Sequence, residues 1–278
     1  MKVFAIDLSV CNGCYCCQIA CKDEHVANDW SPYAKPQPDT GQFWIGITEK
    51  VRGQVPKVKV SYIPHLCQHC DDAPCIAQCE VGAIVKRDDG IVLIEPDKCT
   101  GCKLCADTCP HNAIFFNENL NIAQKCTGCS HLRDSEPDEW PVPRCVDQCP
   151  TDALRFGEEE EFADFIQEAE LLNPGAGTKG RVYYKHLPKK FVAGTVYDPV
   201  EKEVVIGASC TLKDTQSAQT YNVQTDNFGD FWFRGLEDDR SFVLTIEKNG
   251  HQKMIDAITT DRDLSLGDIP LALYGNKE

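Results

Sequence analysis

Methionine is scarce, with two in 278 residues, too few to line an adaptable Met-rich groove. Positive charge is in deficit: 28 Lys and Arg against 43 Asp and Glu leave a net charge of −15. That excludes the basic face a nucleic acid requires and is explained by solubility. No long uninterrupted apolar run exists, so no membrane-spanning helix is expected. Met1-Lys2-Val3-Phe4-Ala5-Ile6-Asp7 reaches an acid before a leader-type apolar stretch forms, and no twin arginine appears. A cytoplasmic location is therefore expected. Catalytic signatures are also missing: there is no G-x-S-x-G, no H-E-x2-H, no Walker A loop and no G-x-G-x2-G after a strand. Gly175-Ala176-Gly177-Thr178-Lys179-Gly180 follows a helical pattern rather than a strand and reads as a linker. No catalytic residue is expected in this chain.

What the chain does have is cysteine, 18 of them. The chain is long enough for an ordinary core, so cysteine at this density points to metal or redox chemistry rather than disulfides. Cys99-Thr100-Gly101-Cys102-Lys103-Leu104-Cys105-Ala106-Asp107-Thr108-Cys109-Pro110 reads C-x2-C-x2-C-x3-C-P, the bacterial ferredoxin run that holds a [4Fe–4S] cubane. The same spacing occurs at Cys11, Cys14, Cys17 and Cys21, with Gly13 matching Gly101. Two variants complete the series: Cys67, Cys70, Cys75 and Cys79, then Cys126, Cys129, Cys145 and Cys149. Three sets share a tail of small residue and aliphatic: Ala83-Ile84, Ala113-Ile114 and Ala153-Leu154, expected to pack beneath clusters.

Sixteen cysteines in four sets match four cubanes. Zinc is the rival, but zinc knuckles pair two C-x2-C units across a spacer without a third cysteine close behind. In two-cluster ferredoxins the fourth cysteine ligates the other cluster, which leaves open which sets are partners. Cys16 is spare and expected to be a buried thiol; Cys210 is expected in a core. His25, His65, His69, His111 and His131 lie near the sets but find no vacant ligand position. His69 is placed to donate a hydrogen bond to a cluster sulfur. Lys98, Lys103, Lys125 and Arg144, beside ligating cysteines, are placed to raise cluster potentials, with plain surface solvation as the equal alternative.

The expected fold class is α+β: tandem bacterial-type 2[4Fe–4S] ferredoxin folds with an inserted β-hairpin, then an all-β immunoglobulin-like sandwich. Residues 1–174 form the cluster domain, opened by a strand at 2–8. Its insertion at 22–66 carries a hairpin of 42–51 and 55–63. The spacer 130–144, with Pro137, Trp140, Pro141 and Pro143, reads as a loop over a cluster. A helix is expected over 158–172, because Phe162, Phe165, Ile166 and Ala169 share one face. A linker follows at 175–190. The sandwich occupies 191–278, with strands at 192–197, 208–213, 219–224, 230–233, 242–248 and 271–273.

Four cysteine sets, the hairpin insertion and the long spacer between Cys129 and Cys145 resemble the four-cluster electron-transfer subunits of the dimethyl sulfoxide reductase family of molybdopterin oxidoreductases. The resemblance implies that sets pair first with fourth and second with third. One cluster would take Cys11, Cys14, Cys17 and Cys149, and its neighbour Cys126, Cys129, Cys145 and Cys21. The inner two would take Cys67, Cys70, Cys75 and Cys109, then Cys99, Cys102, Cys105 and Cys79. Cys102 is present where some members lose a cubane; Glu80 stands where proline is common. Trp30-Ser31-Pro32-Tyr33, Gly177-Thr178-Lys179-Gly180-Arg181-Val182-Tyr183-Tyr184-Lys185 and Thr225-Asp226-Asn227-Phe228-Gly229-Asp230-Phe231-Trp232-Phe233 are similar to the branch whose complexes transhydroxylate phenols. Iron–sulfur subunits of that branch end in an immunoglobulin-like, carboxypeptidase-regulatory-like domain. The resemblance implies a large catalytic partner in a heterodimer or higher assembly. That partner would bear molybdenum or tungsten on a bis-pterin guanine dinucleotide and act on a phenolic ring. It also implies an external electron donor or acceptor, with export to the periplasm only alongside a twin-Arg partner. A respiratory oxyanion reductase or formate dehydrogenase of the same family is the alternative complex.

Overall fold

The computed structural model describes residues 1–273; the last five residues of the expected 191–278 domain lie outside the described residues. The chain divides into two compact units, one of residues 1–49 and 62–187, the other of 50–61 and 188–278. Strands dominate both, and most helices are single turns. Among the described residues no helix is long and apolar enough to cross a membrane.

The first unit begins with β1 (Lys2–Asp7), whose Val3, Phe4, Ala5 and Ile6 are all buried. It continues through α1 (Cys16–His25), the hairpin β2 (Ile45–Gln54) and β3 (Lys57–Leu66), and α2 (Pro74–Ala77). Next come β4 (Ile84–Lys86), β5 (Val92–Ile94), α3 (Leu104–Asp107), β6 (Phe115–Asn117) and β7 (Ile122–Gln124). It closes with α4 (Ser130–Ser135), α5 (Arg144–Asp147), β8 (Leu154–Glu158), α6 (Ala163–Gln167) and β9 (Val182–Lys185). Two short antiparallel pairs follow the inner cysteine sets, β4–β5 with Ile84 opposite Ile94 and β6–β7 with Phe115 opposite Gln124. A three-stranded sheet, β8–β1–β9, ties the start of the unit to its end.

That sheet corrects two expectations. The helix expected over 158–172 is confined to α6, preceded by a 3-10 turn at Glu159–Phe162. Glu158 is held in the sheet opposite Lys2, and its backbone N–H donates to Glu161 Oε2 at 2.9 Å. Beyond α6, Glu170 and Tyr184 exchange backbone hydrogen bonds of 2.7 and 2.8 Å, so tertiary pairing overrides the helical period. The linker expected at 175–190 contains β9, which lies parallel to β1 with Val182 beside Phe4. Val182 and Tyr184 are fully buried, and Arg181 holds Asp71 and Glu159. The spacer 130–144 also differs: it opens with α4 instead of being loop throughout.

The second unit is a sandwich of β10 (Lys190–Asp198), β11 (Glu203–Val204), β12 (Ser209–Asp214), β13 (Thr220–Gln224), β14 (Asp230–Leu236), β15 (Ser241–Lys248), β16 (His251–Thr259) and β17 (Leu264–Pro270). One sheet runs β11–β10–β14 with β17 parallel to β10; the other runs β13–β12–β15–β16. Alternate residues of both enter one core, including Val192, Leu212, Phe231, Leu244 and Ile246. Residues 271–273 are not a strand; the closing strands are β16 and β17, and β16 escapes pattern reading because most of its residues are exposed. The hairpin also departs from the expected assignment to residues 1–174, because its tip belongs to this unit. Arg52 donates to the Lys189 carbonyl at 2.8 Å, Lys59 Nζ sits 4.7 Å from the Trp232 ring centroid and Lys57 pairs with Asp230.

Candidate iron–sulfur centres

Each cysteine set is built on one local scaffold. The position two residues after the first cysteine has positive φ in all four: Gly13 (+69), His69 (+44), Gly101 (+77) and Gly128 (+60). This left-handed turn brings the second thiol back toward the first, which is why glycine fills three of the positions. A Cβ on Gly101 would also meet the Asn121 carbonyl oxygen at 2.5 Å. The third cysteine of every set enters a helix: Cys17 in α1, Cys75 in α2, Cys105 in α3 and Cys145 in α5. In three sets the fourth cysteine closes that helical turn, with Cys79 N–H donating to Ile76 O, Cys109 to Ala106 O and Cys149 to Val146 O.

The inner sets cross over. One cavity of about 340 Å³, its mouth included, is lined by Cys67, Cys70, Cys75 and Cys109 together with Val92 and Ile114. A second of the same size is lined by Cys79, Cys99, Cys102 and Cys105 with Ala83 and Ile84. Backbone N–H groups of Ala83 and Ala123 donate to Cys79 Sγ at 3.3 Å and Cys99 Sγ at 3.4 Å. Among the described residues, no three His, Cys, Asp or Glu side chains are arranged as ligands of a single metal ion. The thiols ring a volume rather than a point.

The outer sets are read from their electrostatics. Burial pushes the Cys17 thiol up to about 12, and the thiols of Cys149, Cys11 and Cys14 add to the rise. Burial likewise pushes Cys129 up to about 12, and holds Cys21 and Cys145 well above the ordinary thiol value. Cys145 is raised further by Cys129, Cys21 and Cys126. The sets also adjoin in a row: Cys145 feels Cys17, and Cys126 feels Cys67. Cys75, Cys79, Cys99, Cys105 and Cys109 share one apolar cluster with Ile84 and Ile94. Cys14 and Cys102, at the two ends of the row, are exposed. Thiols this buried resist ionisation, whereas a bound metal deprotonates its thiol ligands outright. The donor set, the cavities and the buried N–H donors fit an iron–sulfur cluster, which supplies one-electron redox chemistry when bound.

Other sequence candidates are placed differently. Cys16 is exposed, not buried as expected, while Cys210 lies in the sandwich core. His111 Nε2 lies 3.0 Å from Thr178 Oγ1, and His131 Nε2 lies 3.1 Å from Glu24 Oε1. Buried His25 packs 4.4 Å from the Trp44 ring. His69 is 1 % exposed and accepts the Val92 N–H at 3.1 Å through Nδ1. It occupies the left-handed turn position that glycine holds in the other three sets, a correspondence that shows only when the four sets are aligned.

The fold and these centres define a ferredoxin-type iron–sulfur protein joined to an immunoglobulin-like domain. Residues 58–159 match the 4Fe-4S dicluster domain family, and residues 192–268 the carboxypeptidase regulatory-like domain family. The chain is 36% identical over 273 residues to the pyrogallol hydroxytransferase small subunit of Pelobacter acidigallici, covering 96% of this chain and 97% of that one. It is 34% identical to a sulfite dehydrogenase subunit of Allochromatium vinosum, over 66% of this chain and 82% of the relative. It is 31% identical to the arsenate respiratory reductase iron-sulfur subunit of a Shewanella species, over 64% and 93% respectively. The chain belongs to the iron–sulfur, electron-transfer subunits of the dimethyl sulfoxide reductase family of molybdopterin oxidoreductases.

Proposed function

We propose that the chain carries four [4Fe–4S] clusters in a tandem ferredoxin arrangement. Their ligands are Cys11, Cys14, Cys17 and Cys149; Cys126, Cys129, Cys145 and Cys21; Cys67, Cys70, Cys75 and Cys109; and Cys99, Cys102, Cys105 and Cys79. The observation that carries this reading is the crossed lining of the inner cavities, each with three cysteines from one set and the fourth from the other. The adjacency of successive sets supports a linear relay, and the exposed Cys14 and Cys102 support electron entry and exit at its ends. Elemental analysis tests the count. About sixteen iron atoms and as many labile sulfides per chain are expected for four cubanes; stoichiometric zinc without sulfide would refute it.

The partner is a large subunit carrying molybdenum or tungsten on a bis-pterin guanine dinucleotide, and the complex acts on phenolic rings. Full-length similarity to the pyrogallol hydroxytransferase small subunit, sandwich included, supports this choice over the oxyanion reductases and formate dehydrogenases. Assaying the co-purified complex on di- and trihydroxybenzenes tests it. Turnover on an oxyanion or formate, with none on any phenol, would favour the other branch.

A further inference from the structure

Lys125 carries its charge inside the first unit. It is 2 % exposed. Its Nζ donates to the carbonyl oxygens of Val92 and Cys126, the latter at 3.0 Å. Among the described residues it has no carboxylate within ion-pair distance. Arg133, nearby, differs in that its guanidinium reaches Asp89 at 3.3 Å. A charge taken this far from water is strongly unfavourable unless an opposite charge compensates it.

The location says where that charge comes from. Lys125 precedes Cys126, and its ammonium rests on the carbonyl of Val92, a residue lining the cavity of Cys67, Cys70, Cys75 and Cys109. Its field acts on the thiols of both Cys75 and Cys126. His69 meets the same residue from the other side. Because its Nδ1 accepts the Val92 amide, its proton sits on Nε2, which is buried without a partner. The Lys125 ammonium and the His69 ring thus both hold the backbone of Val92, between two thiol-lined sites, and His69 keeps its Nε2–H donor unused.

We propose that Lys125 is the counter-cation of the two clusters flanking it, held by Cys67, Cys70, Cys75 and Cys109 and by Cys126, Cys129, Cys145 and Cys21, and that it raises their reduction potentials. This rests on the four-cluster reading. A cubane with four thiolates is anionic and gains one more negative charge when it takes up one electron. A fixed positive charge beside it therefore stabilises the reduced state more than the oxidised state. Lys125 is a tuning residue and touches no substrate.

The test is an EPR-monitored redox titration of the purified complex, with iron and sulfide analysis of every sample. Lys125→Met should keep the full iron complement while two of the four midpoints fall. Each should fall by at least a tenfold change in the one-electron equilibrium, about 59 mV. Lys98→Met is the control, because Lys98 also precedes a cysteine but is exposed and paired with Glu95 at 2.7 Å; all four midpoints should stay put. If the Lys125→Met variant loads clusters and no midpoint moves, or if Lys98→Met shifts them equally, the proposal fails. If Lys125→Met does not load, Lys125→Arg must restore loading and the midpoints, and its failure to do so also overturns the proposal. Absence of iron and sulfide from the unsubstituted complex would instead refute the cluster reading itself.

Discussion

Cys145 in the first unit is 4 % exposed, and Cys210 in the second is fully buried, yet their surroundings differ in kind. Around Cys145 lie the thiols of Cys129, Cys21, Cys126 and Cys17, each adding to the rise that burial imposes. Around Cys210 are apolar side chains, and burial by itself pushes its thiol up to about 12. The first unit carries five cysteines in its main core alongside Phe4, Ile6 and Trp44. The second has a continuous core of Val, Leu, Ile and Phe closed by two sheets. One interior is assembled around groups that need a cofactor; the other is complete with its own side chains.

Removing iron is the sharpest way to break that comparison. Anaerobic chelation should abolish cooperative melting of the first unit, because its thiols then border empty space. The β-sheet circular dichroism and melting of the sandwich should persist. Simultaneous loss of both transitions would show that the two interiors are not independent. A narrower lesion is Cys109→Ala, which should cost about four iron atoms and perturb the cluster of Cys67, Cys70 and Cys75 before that of Cys99, Cys102 and Cys105. Loss of the latter with the former intact would refute the crossed ligation. In the sandwich, Leu244→Ala removes a fully buried side chain and should destabilise that unit by about 2–5 kcal/mol with iron content unchanged. Denaturant melts with iron analysis check both halves of that expectation.

The smallest effect concerns acid. Burial would raise the Asp214 carboxyl, but the Arg240 guanidinium, with Nη2 at 2.7 Å, and the N–H groups of Gln216 and Ser217 outweigh it and hold it below the ordinary 3.8. A depressed carboxyl stabilises the fold above its unfolded value and loses that contribution as pH falls through the folded one. Asp214→Asn should therefore flatten the acid limb of the sandwich's stability profile below about pH 4. An unchanged slope would mean the pair does not contribute.

Much of the site was legible from residues. Cysteine spacing identified the chemistry, and the paired Gly13 and Gly101 marked the repeated turn, because both depend on a few consecutive bonds. The sandwich strands with clean alternation, such as β12 and β15, were equally readable. His69 in a glycine position was not, since a histidine between cysteines reads as a side-chain hydrogen-bond donor to a sulfur rather than as a backbone element. Lys125 could not be told apart in sequence from Lys98, Lys103 and Arg144, the other cations beside cysteines; its isolation depends on Val92 and on every chain segment that covers it.

The sequence by itself determined the kind of cofactor, the number of cysteine sets and the presence of a separate β domain. Those follow from local spacing and from alternation along single strands. Tertiary structure decided what distant segments do together. It turned an apparent linker into β9 by giving Phe4 a partner in Val182, and it trimmed a helical pattern at both ends by pairing Glu158 with Lys2 and Glu170 with Tyr184. It also joined the hairpin tip to the sandwich. In each case the deciding hydrogen bonds or contacts come from residues far away in the chain, and no local pattern encodes them.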